Sequence, residues 1–583
     1  MRSSDRRWPR RAAVLSVVAL VLLAVGYYTV SGFQAYRDLT ATRTALLAAR
    51  DIATTAPAQA QQSLQDASSS AQAAADRLDG PLWGALAAVP LIGDTPQAAR
   101  QLTTGLNQTL QALQPLVDSL DLLSPTALVT AGRINVSAIE QAVPAAQQAL
   151  PGLRTAQETL ADVPTGGMVL PQITAATTEL QQQVGELQGT LTTVDTIGPI
   201  AAPLLGAEGR KRYFVALLNP NEARGTGGFL GNYAVLTADD GAISVGGIGS
   251  NTDLPTLDEL PAELDEQFRY RYRDDPTLIG NMNLSPHFPD TARIWLAAWE
   301  QLTGETLDGA IAMDTVTLGR LVAATEQPVA LPDGGTMSGS ELADFANIGI
   351  YEKFPEVGEV PARKAYQEAV SLSALQAVIA MPRPLAMGQA LGEGLQDNRI
   401  VVWSADPQVE QVLKDAGVSG SLVVPDGHQV QAVVLNTSGS KLDAYLDRSV
   451  HYDVGRCPTP NGRVTSSVTV SLRSDVPLGE RPPAYMVGQA ETTPTGPVNT
   501  AILQLHLPNG ARVQNATING KNPGLLEFRE QNRPAVLVGV ALPPRQRQEV
   551  VFTFTEPTSD GPAEVTVQPL FREQQTVVAD VGC

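Results

Sequence analysis

The sequence predicts a multidomain chain in which a single N-terminal transmembrane helix leads into an α-helical stalk or bundle, an α/β domain and a C-terminal all-β sandwich. Three observations predict it. An uncharged run from Ala12 to Phe33 follows five arginines. Leu and Val then recur at helical steps through a segment with few aromatics. Beyond it, short apolar runs alternate first with helical patterns and later with turn residues alone. The 583 residues, 43% hydrophobic, suffice for about three or four domains with ordinary cores. Sixty acidic against 40 basic residues give a net charge of −20, which repels phosphate backbones and excludes nucleic acid as a main partner. Two Cys and four His are too few for a zinc-finger, iron-sulfur or multi-histidine site.

The expected boundaries follow from these shifts. Residues 1–11 form a basic cytoplasmic tail, with Arg2, Arg6, Arg7, Arg10 and Arg11 setting the N-terminus inside. Residues 12–33 are about as long as a helix needs to cross the hydrocarbon core, with Tyr27, Tyr28 and Phe33 as interfacial anchors. The rival reading is a cleaved signal peptide, against which stand the length of the run and the poor cleavage site at Gly32-Phe33-Gln34-Ala35. The expected localisation is therefore the cell membrane, single-pass, with the bulk of the chain extracytoplasmic. A disulfide between Cys457 and Cys583 fits that compartment.

Residues 34–206 carry amphipathic stripes such as Leu102, Leu106, Leu113, Leu116, Leu120 and Leu123. Asp94-Thr95-Pro96 reads as an N-cap with Pro in the first turn, and Ser137 with Glu140 as a capping box. Pro and Gly interrupt the pattern, so four or five helices folding back on one another are expected, either as a stalk or as a partner-binding coiled coil. Residues 207–435 begin with the apolar run Tyr213–Leu218, a strand buried on both faces, followed by a polar glycine-rich loop from Asn219 to Phe229. A hairpin at Asp239-Asp240-Gly241, a helix from Pro289-Asp290, the strand Gly309–Met313 capped by Asp314, and helices near 363–381 and 407–416 complete an α/β domain. Residues 436–583 read as a β-sandwich, with strands near 448–454, 464–472, 501–506, 535–540, 550–555 and 563–567 and turns at Asn509-Gly510 and Asn519-Gly520.

The strings RYFVALLNPNEARGTGGFLGNYAVLTADDGAISV, NLSPHFPDTARIWLAAWEQLTGETLDGAIAMDTVTL and VVLNTSGSKLDAYLDRSVHYDV resemble the domain of unknown function 4012 family, bacterial envelope proteins common in actinobacteria. The order of anchor, strand, Arg-containing loop, hairpin, helix, "DGAIAMD" strand and basic helix is also similar to the LytR-CpsA-Psr family, which transfers lipid-linked glycopolymers to the cell wall. This second resemblance implies a LytR-CpsA-Psr-like α/β domain. Where that family has its catalytic Arg-Ser-Asp-Thr loop, this chain has Gly227-Gly228-Phe229. At the second loop it has Ser250-Asn251-Thr252-Asp253, and Arg363, Lys364 and Gln367 match the third motif in part. The resemblance therefore implies binding or assembly of envelope glycopolymers or their polyprenyl-phosphate carriers without catalysis. The alternatives are a divergent phosphotransferase using Mg²⁺, and a structural scaffold. The cytoplasmic membrane and a polyprenyl-linked glycan or an envelope protein are the expected partners.

The LytR-CpsA-Psr resemblance implies a candidate ligand site that takes in Asn251, Arg363, Lys364 and Gln367, and the loop residues themselves add Glu222, Arg224 and Asp253. Arg224 offers a planar donor fork for phosphate, the amides of Gly225–Gly228 a nest, and Glu222 with Asp253 oxygens for a hard cation. The competing reading pairs Glu222 with Arg224 as a structural ion pair. No catalytic residue is expected. His287, His428, His451 and His506 lie in unrelated contexts without a nucleophile elbow.

Overall fold

The computed structural model describes residues 27–46, 48, 57–89, 93–117, 125–130, 132–425, 427–478, 481–559 and 561–581. The chain divides into two compact units, Met1–Ala131 with Asn135–Ala202, and Gly132–Ile134 with Pro203–Cys583.

The first unit is helical: α1 (27–46), α2 (Pro57–Leu78), α3 (Pro81–Ala87), α4 (Asp94–Ala112), α5 (Val136–Ala161) and α6 (Pro171–Leu204). Its main core takes Leu102, Leu150, Leu153, Leu160, Val184 and Leu191 from the apolar stripes. A Cβ on Gly152 would lie 2.7 Å from the Ala112 Cβ, so glycine lets α4 and α5 touch closely. Helix α5 runs through Pro144 and Pro151, and the expected interruption there does not occur. A run of buried Ala145, Ala146, Ala149 and Leu150 along that helix holds it against the core and offsets the lost backbone bonds. Asn135, not Ser137, caps α5 by accepting a hydrogen bond from the Ala138 amide, because Ser137 already lies inside the first turn. Gly93 takes the N-cap position of α4, and Asp94 becomes the first helical residue, accepting instead from the Met168 amide at 3.2 Å.

Among the described residues no helix is long and apolar enough to cross a membrane. This corrects the transmembrane, signal-anchor and membrane assignment expected for residues 12–33. Residues 12–26 of that run lie outside the described residues. Its remainder opens α1, where the aromatic and hydroxyl groups find protein partners rather than an interface. The Tyr28 ring stands edge-on to Trp83 with centroids 5.3 Å apart, and its hydroxyl donates to the Leu82 carbonyl. The Trp83 indole N–H donates to Ser31.

The second unit opens with β1 (Lys211–Arg224), β2 (Gly227–Asp239) and β3 (Ala242–Ser250). Then follow α7 (Phe288–Thr303), β4 (Gly309–Asp314), α8 (Thr315–Thr325), α9 (Gly339–Asp344), α10 (Val360–Ile379), α11 (Pro384–Gln396), β5 (Ile400–Ser404) and α12 (Pro407–Asp415). The strands form a mixed sheet in the order β3-β2-β1-β4-β5, with β1 and β4 parallel and the other pairs antiparallel. Alternation along β1 feeds two cores. Phe214 and Ala216 pack with Trp295 of α7, and Val215 and Leu217 pack with Leu318, Ile350 and Tyr351 on the other face. Asp240 (φ 46) and Gly241 (φ 73) make the two-residue turn between β2 and β3. Asp314 caps α8 by accepting from the Thr317 amide.

The polar stretch expected as a loop after Leu218 is instead the end of β1, hairpinned directly into β2. Its polar side chains are buried against partners supplied by later parts of the chain, as detailed below. Glycine makes the hairpin possible, since a Cβ on Gly228 would lie 2.4 Å from the Asn219 carbonyl carbon. The Gly225 amide donates to the Asn283 carbonyl, which removes it from any anion nest.

The sandwich comprises β6 (Gln429–Asn436), β7 (Leu446–Gly455), β8 (Arg463–Ser474), a short helix α13 (Ala484–Val487), β9 (Asn499–His506), β10 (Arg512–Ile518), β11 (Leu526–Glu530), β12 (Arg533–Leu542), β13 (Arg547–Pro557), β14 (Glu564–Thr566) and β15 (Gln574–Val581). One sheet runs β11-β12-β9-β6-β14 and the other β10-β13-β8-β7-β15. Inward-facing Val434, Val468, Leu503, Val538 and Phe552 fill the space between them. β6 belongs to this sandwich, so the module starts near Gln429 rather than at residue 436. Ala223, near the end of β1, is buried in the sandwich core, which ties the α/β and β parts into one unit.

Candidate functional site

The C-terminal ends of β1 and β4, the start of β2 and the end of β3 meet at one edge of the sheet, where α/β folds commonly present ligand sites. Helix α10 starts with Pro361 in its first turn and brings Arg363, Lys364 and Gln367 toward that edge.

Glu222 and Arg224 do not face a cavity. Both are nearly fully buried, and the Arg224 Nη2 donates to the Glu222 carboxylate at 2.7 Å. The remaining Arg224 donors go to the carbonyls of Gly280, Ala223 and Asn436. The other Glu222 oxygen is taken by the Lys441 ammonium. Burial alone would raise the Glu222 carboxyl, but Lys441 and Arg224 outweigh it and hold the group below its ordinary value. Lys441 behaves conversely: burial works to lower it, and Glu222 keeps it above its ordinary value. Next to this cluster the Asp443 carboxylate accepts from the Ala223 amide, Asn436 and Asn499 at 2.8, 2.8 and 2.6 Å. Of the two readings of the Glu222 and Arg224 pair, this geometry is the structural one, a polar joint between the sheet end and the sandwich.

The other expected residues form a second group. The Lys364 ammonium donates to Ser250 Oγ, Asn251 Oδ1 and Thr252 Oγ1 at 2.8, 2.8 and 3.0 Å. Burial and the neighbouring Arg363 hold Lys364 below its ordinary value. Asp253 turns back to accept from the Ser250 amide, closing a capping box. Arg363 is 2% exposed. Its guanidinium lies 3.4 Å from the centre of the Tyr485 ring and 5.2 Å from that of Tyr351. Its Nε and Nη1 have no hydrogen-bond partner, and Arg363 makes no ion pair among the described residues. Gln367 lines a small cavity with Leu217, Asn219, Asn232, Leu318 and Phe345, about 30 Å³ for water-sized molecules. That is room for about two waters and not for a lipid tail.

The Mg²⁺ implied by the LytR-CpsA-Psr resemblance does not fit these residues. Both Glu222 oxygens are taken by cations, Asp253 caps its own turn, and among the described residues no three His, Cys, Asp or Glu side chains cluster as metal ligands. The histidines sit in buried structural networks or at the surface. His287 Nδ1 accepts from the Leu422 amide, and burial pushes it down to about 3. His506, Ser285 and Tyr272 all converge on the Glu530 carboxylate, so the Ser285 hydroxyl donates to a carboxylate and not to an imidazole. The sequence reading missed Lys441, Asp443, Tyr351 and Tyr485. The polar run from Asn436 to Asp443 after a buried strand was a signal for the first two, and the tyrosines gave none.

Residues 208–351 match the family described as Protein of unknown function (DUF4012). No curated protein and no solved structure matches the chain, so the likeness to LytR-CpsA-Psr proteins gains no support from these comparisons. The matched segment carries the β1–β2 hairpin, with Glu222 and Arg224, and the strand after α7, and that segment is what the chain shares with the DUF4012 family.

Proposed function

We propose that the α/β edge binds the anionic group of a cell-envelope glycopolymer or of its polyprenyl-phosphate carrier, and that the protein serves in assembly without catalysing transfer. The observation that carries this reading is Arg363, a buried guanidinium with two unpartnered nitrogens and no ion pair among the described residues. A permanently charged group so placed is costly unless an anion accompanies it. Lys364 adds a second cation beside it, held only by hydroxyl and amide oxygens. Together they place two cations at this edge, with the Asp253 and Glu368 carboxylates near Lys364, on a chain of net charge −20, which favours a specific anion over general attraction. Among the described residues no three His, Cys, Asp or Glu side chains gather to hold a metal, which favours binding over metal-assisted phosphoryl transfer. An extracytoplasmic site is supported by Cys457, which is disulfide-bonded.

The test is calorimetric titration of the purified protein with farnesyl pyrophosphate and with a neutral oligosaccharide. Saturable binding of the pyrophosphate alone, weakened roughly tenfold in Lys364→Ala by loss of one charge-assisted contact, is the expected result. No saturable binding of the pyrophosphate overturns the reading. A scaffold role is favoured by the buried joint of Glu222, Arg224 and Lys441, and it predicts no titration with either ligand.

A further inference from the structure

Arg363 poses a physical problem that the anion reading alone does not solve. The two unpartnered nitrogens have essentially no exposed surface, so neither water nor a ligand reaches them in the arrangement described. The side chains of Asn221 and Asn347, both fully buried near Tyr351, also leave their Oδ1 atoms unpartnered. Leaving several buried polar atoms unpaired incurs the desolvation penalty for each of them. Only ring stacking stands against that cost.

The ring that seals the guanidinium is Tyr485 on α13. Its backbone is firmly held on both sides. Met486 is fully buried in the α/β core, its carbonyl accepts from the Lys441 amide at 2.8 Å, and Gly488 at φ 58 sits so close to the Gly439 carbonyl that a Cβ would lie 2.4 Å from that oxygen. The Tyr485 ring is held differently. It stacks on Tyr351 with centroids 5.8 Å apart and planes at 9°, and covers Arg363, while its hydroxyl makes no hydrogen bond to another described residue. It is only partly buried, so a side-chain rotation carries it toward solvent without unpacking Met486.

We propose that the Tyr485 ring is a gate over Arg363, closed by its stacking on the guanidinium and swung aside when an anion's oxygens take the Nε and Nη1 donors. This rests on the anion-binding reading above. The ring and the anion then compete for one guanidinium, and the ligand shifts the gate by its preference for the open form. A pyrophosphate group suits the opened edge, because guanidinium presents its donors as a planar fork and Lys364 stands next along the helix.

The experiment titrates inorganic pyrophosphate into the wild-type chain and into Tyr485→Leu, Tyr485→Phe and Tyr485→Trp. The gate predicts that Tyr485→Leu, which cannot stack, binds at least about threefold tighter than wild type, a difference in population worth about 0.65 kcal/mol. Tyr485→Phe keeps the ring and should bind as wild type does. In Tyr485→Trp the added indole should change its emission when pyrophosphate is present, as its ring leaves the guanidinium for solvent. Binding to wild type that is equal or weaker in Tyr485→Leu, with no emission change in the Trp variant, overturns the gate and leaves the anion site standing. Absence of binding to wild type and to Tyr485→Leu alike overturns both. Binding seen only in Tyr485→Leu overturns the anion reading for the wild-type chain, and with it a gate that opens for the anion.

Discussion

At the scale of the residue, burial decides which charges are structural. Arg224 spends its donors on Glu222 and three carbonyls, so Arg224→Ala leaves Glu222 and Lys441 facing each other in a site with fewer donors. We expect a loss of about 3–5 kcal/mol in urea unfolding, the usual cost of breaking a buried pair. A cost near zero would show that the pair is not the joint described. Two other carboxyls give the protein a pH dependence. Burial pushes Asp290 and Glu410 each up to about 7 from 3.8 and 4.5, although Arg293 beside both opposes the shift. A raised carboxyl in the folded state contributes stability that is fully present below its unfolded value and is lost as pH rises through the folded one. The urea midpoint should therefore fall between pH 5 and pH 8, and Asp290→Asn should flatten that fall. A midpoint that rises over the same range would contradict the burial assigned to these groups. The residue types of the anion site were legible in the sequence for Arg363, Lys364 and Gln367, which share one end of one helix. For Arg224 the sequence left a ligand and a structural partner of Glu222 both open, because it does not show that Lys441, 219 residues after Glu222, shares that glutamate.

At the scale of the element, the alternation of buried and exposed positions made most strands readable, while the polar end of β1 was not. Asn219–Arg224 looks like a loop because its side chains are polar, and it continues as a strand because later segments pair the Asn221 amide group, Glu222 and Arg224 inside the fold. The glycines that follow are then requirements of the hairpin. Gly228→Ala should force β1 and β2 apart, since its Cβ would meet the Asn219 backbone at 2.4 Å, with a loss of about 1–3 kcal/mol seen as a lower thermal midpoint. An unchanged midpoint would mean that the hairpin relaxes at no cost. Helices α5 and α6 show the same limit from the other side. Proline and glycine predicted interruptions, yet packing of a long apolar stripe kept α5 whole through Pro144 and Pro151.

At the scale of the whole molecule, the second unit is closed by the pairing of its last described strand. β15 runs parallel to β7 in register up to Gly455 opposite Val581, two residues before each of the chain's two cysteines. Cys457 is disulfide-bonded, and Cys583 lies outside the described residues. With no third cysteine in the chain, alkylation of the unreduced monomer should label no thiol, and reduction should lower the stability of the unit by about 2–5 kcal/mol. Two reactive thiols before reduction would refute the pairing. Composition and periodicity by themselves determined the succession of helical, α/β and β parts, because the 3.6-residue and two-residue repeats are local properties of the chain. Periodicity also placed the helix near 363–381, and the LytR-CpsA-Psr resemblance singled out its basic end. Only the tertiary structure decided that the sandwich begins at β6, that Ala223 enters its core, and that Glu222, Arg224 and Lys441 form one joint. Among the described residues it likewise turned the aromatic end of the expected membrane span into a helix packed on Trp83. The physical reason is common to all of these. Apolar periodicity states that a face must be buried, and only the contacts made by distant segments state what buries it.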